Sequence, residues 1–270
     1  MKKLVVSSVL FVLVFCFMSP LAFGQDFLNP QWAKQIVPHF VVGGGYTTIV
    51  TITSVVEIPT QINISFGGQD GSPIDVEVTS QANRRYRELM AGFNPGNIMG
   101  GGTITLVLTS SSQMPVVGAI GLSSMKSATG DDSAQFSVRY DYAPKGKVVG
   151  QAAVMSIARP SLGFWFPAIS SGEVQTGLAV ANWNPVPAVL NCKVRDTRGA
   201  QVVSGTIEIV PWGQVAKFLW QVVTLPQAWT EGKVECLSNV PVFAVTLQTT
   251  TNADGLFTFS TGTTFPLPGF

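Results

Sequence analysis

Residues Thr48–Ser72 read TIVTITSVVEIPTQINISFGGQDGS, and Thr176–Ala200 read TGLAVANWNPVPAVLNCKVRDTRGA. Shifted by 128 positions, the two stretches align without a gap. Thr48 meets Thr176, Pro59 meets Pro187, Asn63 meets Asn191 and Gly71 meets Gly199. The apolar beats coincide as well, with Val50 on Leu178, Ile52 on Val180, Ile62 on Leu190, Ile64 on Cys192 and Phe66 on Val194. Alternation with a period of two means strands with one buried face. A pattern stated twice means that each copy must bury its own core.

Working outward, the same rhythm continues. Ile74–Thr79, Thr103–Thr109, Pro115–Leu122, Gln135–Tyr142 and Val148–Ile157 follow in the first copy. Gln201–Val210, Lys217–Val223, Gly232–Leu237, Pro241–Thr249 and Leu256–Ser260 follow in the second. Asp70-Gly71 and Arg198-Gly199 supply the turns between neighbours. Gly102-Thr103-Ile104 parallels Gly232-Lys233-Val234, and Met114-Pro115-Val116 parallels Val240-Pro241-Val242, the spacing changing from 130 to 126. A helical period is scarce, with room for one short turn at Arg84–Met90 or Pro226–Thr230. The expected fold is all-β: two tandem antiparallel Ig-like or fibronectin-like β-sandwiches, at 27–156 and 163–270, joined by a short junction. Phe164-Trp165-Phe166, just past that junction, is expected to weld the two together.

The start of the chain has the three parts of a secretory signal peptide: basic Met1–Lys3, apolar Leu4–Met18, and small Ala22 and Gly24 before a cut at Gln25. The apolar run falls short of the roughly 20 residues that a membrane-spanning helix needs. Cys16 lacks the small neighbours that a lipoprotein signal requires. Residues 1–24 are therefore expected to be removed, and removal of Lys2 and Lys3 takes the formal charge from +1 to −1. Such neutrality offers no grip on nucleic acid, and charged residues make up only 11% of the chain against roughly 25% on average. The expected location is extracellular, cell-surface or periplasmic, with no transmembrane span in the mature chain.

Export makes a disulfide the natural reading of the two remaining cysteines, Cys192 and Cys236. Alternation places Cys192 with Leu190 and Val194, and Cys236 with Val234, so both sulfurs face the core. Two buried free thiols are the alternative. No metal or redox spacing is present, and neither a cofactor nor a metal is expected.

Catalytic groups are sparse. His39 is the only histidine, and it reads as a half-buried residue at a strand edge beside Gly43-Gly44-Gly45. There is no G-x-S-x-G elbow to pair with it. Glu57, Asp75, Glu77, Glu208 and Glu235 read as solvated strand and turn positions. The glycine runs at 43–45 and 100–102 precede no helix and lack the Lys-Ser/Thr of a phosphate loop. Asp131-Asp132 is too little for calcium, which takes six or more oxygens. Phe270 is similar to the terminal aromatic of outer-membrane barrels, but Pro266 and Pro268 oppose a last strand there.

Possible ligand contacts are Arg84, Arg85 and Arg87, the one basic cluster, and Trp183 and Trp212, two aromatics in turns. The arginines could grip an acidic glycan or guard a sheet edge. The tryptophans could stack on sugars, or fill a core or a domain interface.

Pro38–Thr53, reading PHFVVGGGYTTIVTIT, resembles the opening of secreted bacterial tandem β-sandwich repeats common in acidobacterial genomes. Thr176–Asn182 (TGLAVAN), Gln214–Leu219 (QVAKFL) and Pro241–Gln248 (PVFAVTLQ) resemble later segments of such repeats. The resemblance covers most of the mature chain and departs from it at the cysteine pair and at Lys126–Lys147. It implies a fold and export, with no activity. The expectation is a non-enzymatic structural or adhesive protein with an unknown protein or glycan partner at the cell surface. The alternative is a polysaccharide-binding module using the turn aromatics.

Overall fold

The computed structural model describes residues 32–56, 60–71, 74–80, 85–90, 93–98, 101–125, 132–251 and 257–269. The proposed signal peptide, Arg84, Glu57 and Asp131 lie outside them.

The alternating stretches form strands, and every pairing is antiparallel. The first half runs β1 (Trp32–Val42), β2 (Tyr46–Ser54), β3 (Thr60–Gly68), β4 (Ile74–Ser80), β5 (Arg85–Met90), β6 (Phe93–Ile98), β7 (Thr103–Thr109), β8 (Val116–Met125), β9 (Ala134–Tyr142) and β10 (Gly150–Met155). It makes two sheets, ordered β1-β8-β3-β6 and β10-β9-β2-β7-β4-β5. The second half runs β11 (Ser161–Ile169), β12 (Val174–Ala181), β13 (Ala188–Arg195), β14 (Gln201–Ile209), β15 (Gln214–Phe218), β16 (Glu231–Thr251), β17 (Phe257–Thr263) and β18 (Phe265–Pro266).

β16 serves both sheets of the second half. Its first part, from Glu231 to Ser238, pairs with β11 and β13, and its later part, from Phe243, pairs with β12 and β17. Pro241 lies between the two parts, where a missing N–H breaks no ladder bond. The only helical turn among the described residues is α1 (Leu219–Val222). It interrupts the strand expected over Lys217–Val223; Arg85–Met90 is strand instead, and Pro226–Thr230 holds no helical turn.

The pairing registers of the two halves correspond. Val37 faces Ile120 and Phe166 faces Val234; Ile64 faces Leu122 and Cys192 faces Cys236. Val50 faces Leu106 and Val138, as Leu178 faces Lys217 and Thr246. The bridge Ile36–Ile157 has its counterpart in Trp165–Phe265. The 128-residue spacing holds through β3 and β13, then falls to 111 at Gly96 and Ile207, which face Ile62 and Leu190. The difference of 17 is the length from Ile74 to Met90, the β4–β5 hairpin that extends one sheet of the first half beyond β7. The sequence match of Gly102-Thr103-Ile104 to Gly232-Lys233-Val234 is thereby corrected. By pairing, β7 corresponds to β15, and β8 to the first part of β16. Alternating strands all look alike, so letters beyond an insertion align to the wrong neighbour.

Two large cores follow the halves, although Ala179 and Val245 of the second half join the first core. Phe40, Val50, Ile52, Ile62, Leu106 and Val138 belong to the first; Phe164, Phe166, Leu190, Val194, Ile207 and Val234 belong to the second. Full burial of such side chains contributes roughly 1.5–3 kcal/mol each. Phe164 and Phe166 thus point into the second core rather than across the junction, while Trp165 stacks on Phe265. The halves meet instead through Ile36, Ala119, Ala181 and Phe243, with Trp183 and Ile157 packed against them. Gly67, like Gly71, also comes close to the second half. A Cβ there would lie 2.8 Å from the Trp212 carbonyl oxygen and 3.2 Å from the Trp183 ring.

Candidate functional site

A cavity of about 220 Å³ lies where the halves face each other. Its walls include His39, Tyr46 and Tyr140 from the first half, and Lys217, Phe218 and Leu247 from the second.

His39 reaches this place through an irregularity in β1. The register against β8 jumps between Val37–Ile120 and Phe40–Gly118, so Pro38 and His39 together oppose Ala119. A bulge of this kind re-aims a side chain and tolerates a proline. His39 is 7% exposed, which corrects the half-buried strand-edge position expected for it. Its ring meets Tyr140 edge-on at 5.8 Å. Burial holds the imidazole near a pKa of about 4, so it is neutral at physiological pH.

Gln214, at the start of β15, is fully buried, and its amide nitrogen lies 3.4 Å from His39 Nδ1. Its Oε1 has no partner among the described residues. Turning the amide round would pair the oxygen and strand the nitrogen, so one end stays unmatched either way. Tyr46 stacks on Tyr142 at 4.4 Å, and Phe218 lies nearly parallel to the exposed Trp220 at 6.1 Å. Burial raises the phenol pKa values of Tyr46 and Tyr140, and the adjoining phenols, Tyr142 for Tyr46 and Tyr46 for Tyr140, add to it. Among the described residues no carboxylate lines the cavity, and Lys217 has no ion-pair partner.

The residues singled out by sequence lie elsewhere. Cys192 and Cys236 are joined, as expected, across β13 and β16 with their Cα atoms 4.1 Å apart. That bond is consistent with an oxidising extracellular or periplasmic location. Trp183 and Trp212 do come together, but edge to face at 6.5 Å and 88°, both half-buried. They offer no flat double platform. Trp212 adopts φ 59°, an uncommon conformation for a bulky residue, with its N–H donating to the Asn184 carbonyl. Arg85 and Arg87 fall on β5, the outermost strand of its sheet, opposite Thr79 and Glu77.

Glu235 is ion-paired to Arg195 and Lys233 at 2.7 Å each, and the hydrogen bond from Lys233, then that from Arg195, keeps its pKa low. Among the described residues no three His, Cys, Asp or Glu side chains converge as metal ligands. Nor is any helix there long and apolar enough to cross a membrane.

The sequence reading missed the cavity. Pro38 inside an apolar run was the available signal for the bulge. Nothing local announces that Gln214 meets His39 from 175 residues away.

The architecture is that of a β-sandwich-like, all-β protein. Neither a protein-family model nor a curated protein matches the chain, so the resemblance to acidobacterial repeats receives no family assignment. Among solved structures, a protein designated Thermotoga maritima 1070 aligns over 41% of this chain and 98% of its own, at 18% identity and a TM-score of 0.36. A glycosyl hydrolase family 2 member from Bacteroides cellulosilyticus aligns over 86% of this chain but 28% of its own, at 9% identity and a TM-score of 0.16. A β-glucuronidase of glycoside hydrolase family 2 aligns over 85% and 23%, at 10% identity and a TM-score of 0.15. Likenesses this weak assign no activity.

Proposed function

We propose that the chain is a non-enzymatic, exported protein of two tandem Ig-like β-sandwiches, with a structural or adhesive role at the cell surface or outside the cell. The corresponding pairing registers carry this reading. A sandwich of the same strand order in each half, with the added β4–β5 hairpin in the first, is what duplication of a scaffold produces. The proposed signal peptide and the Cys192–Cys236 bond support export. The interface through Ile36, Ala119, Ala181 and Phe243 supports a stiff two-domain rod rather than two flexibly strung modules.

The polysaccharide alternative rested on Trp183 and Trp212, and their perpendicular, half-buried packing against Gly67 weakens it. Deleting the gene and measuring attachment and envelope integrity tests the proposal. Loss of either, with the protein recovered outside the cytoplasm, is the expected result. A glycan-array hit that disappears in Trp183→Ala would reverse the order of the two readings.

A further inference from the structure

We propose that the cavity between the two halves is a binding site for a small molecule with one apolar ring, preferably aromatic, and a carboxylate end. Four rings, those of His39, Tyr46, Tyr140 and Phe218, contribute to one wall system, with Leu247 and Val117 among them. An apolar cavity of about 150 Å³ already admits benzene. The space of about 220 Å³ here fits one ring with a short chain, not a run of sugars. Pyranoses also need many hydrogen bonds, and these walls supply few.

Charge selects the other end of the ligand. Among the described residues Lys217 is the only charged one in the lining, and it is exposed. His39 is neutral and adds no competing charge, so a single anionic group is matched by a single ammonium. The His39–Gln214 pair is the second observation. A buried amide end without a partner costs about 1–3 kcal/mol, and native proteins retain few such groups. His39 lines the cavity and Gln214 does not, so the pair fixes the imidazole in the wall rather than offering its unmatched end to an occupant.

Sites of this kind gather at domain interfaces. The site needs both halves, since Tyr46 and His39 come from one and Lys217 and Phe218 from the other. It is independent of the structural role proposed above, and either can fail without the other.

Titration calorimetry on the full exported chain tests the site, with benzoate, phenylacetate, 3-phenylpropionate and indole-3-acetate as probes, and 3-phenylpropionamide and cellotetraose as controls. One site is expected for at least one carboxylate, with the amide at least ten-fold weaker. Lys217→Gln should abolish that preference. Ala216→Leu should fill the cavity and remove binding of every probe; Lys217→Gln, an exposed change, keeps the test valid should Ala216→Leu not fold. The proposal is overturned if none of the carboxylates binds at millimolar concentration, if amide and acid bind equally, if binding survives Ala216→Leu in a folded protein, or if only cellotetraose binds.

Discussion

His39 Nδ1 and Gln214 Nε2 lie 3.4 Å apart, joining β1 to β15 across 175 residues of chain. His39 lines the cavity, and its contact with Gln214 ties the two halves together beside it. Its imidazole is neutral because burial lowers the pKa to about 4, from 6.5 in an unfolded chain. Between those values the unfolded state binds a proton that the folded state does not. Stability therefore rises with pH through this window and is lost as pH falls from about 6.5 towards 4. Full loss amounts to roughly 3 kcal/mol. Chemical denaturation at pH 7 and pH 4 should show this loss in the native chain, and His39→Gln should remove that part of the pH dependence. An unchanged slope in the variant would show that His39 is not the titrating group.

The disulfide lends itself to a second prediction. Cys192 and Cys236 occupy the register that Ile64 and Leu122 hold in the first half. One half is stapled where the other relies on apolar contact alone. Closing a separation of 44 residues contributes about 3–4 kcal/mol in the chain-entropy picture. Replacing both cysteines by alanine should lower the Tm of the second half by roughly 15 °C, read by differential scanning calorimetry. Reductant should reproduce most of that shift in the native protein and none in the double variant.

The interface can be probed at Gly67. A methyl group there would press on the Trp212 carbonyl and the Trp183 ring. Overpacking of this sort typically costs 1–3 kcal/mol. Gly67→Ala should lower stability by about that amount and shift tryptophan emission, because Trp183 packs in the contact between the halves. If emission and stability both stay fixed, the halves do not approach each other there.

What was readable in the sequence was whatever is local. Alternation in Thr48–Thr53 marks β2, with Val50 and Ile52 fully buried, and the same logic placed both sulfurs inward. Local rhythm cannot say which strands pair. β4 and β14 both follow a glycine turn after a matched strand and look equivalent, yet β14 pairs with β13 while β4 pairs with β7 and β5. The functional candidates suffered similarly. Trp183 and Trp212 stand out as letters and are consumed by packing. His39 and Lys217 share a cavity wall only once the two halves of the chain meet.

Asn182, which closes the TGLAVAN stretch, provides the last test. It is fully buried, and its Nδ2 donates to the carbonyls of Val186, Ile209 and Val210 at 2.8, 3.2 and 3.0 Å. Its Oδ1 accepts from the backbone N–H of Asn184 at 3.2 Å and from the Asn184 amide at 2.9 Å. One side chain therefore holds the turn carrying Trp183 against the end of β14. Asn182→Ala strands these groups and should cost about 2–4 kcal/mol. Asn182→Asp should be worse at pH 7, since it turns a carboxylate towards three carbonyl oxygens. Those carbonyls would raise the introduced group's folded pKa above its unfolded value, so its protonation favours folding as pH falls. Compared at the same pH, which cancels the His39 contribution, the Asp variant should gain on the Ala variant between pH 7 and pH 4. If Asp is as stable as Ala across that range, the amide is not the donor to those carbonyls.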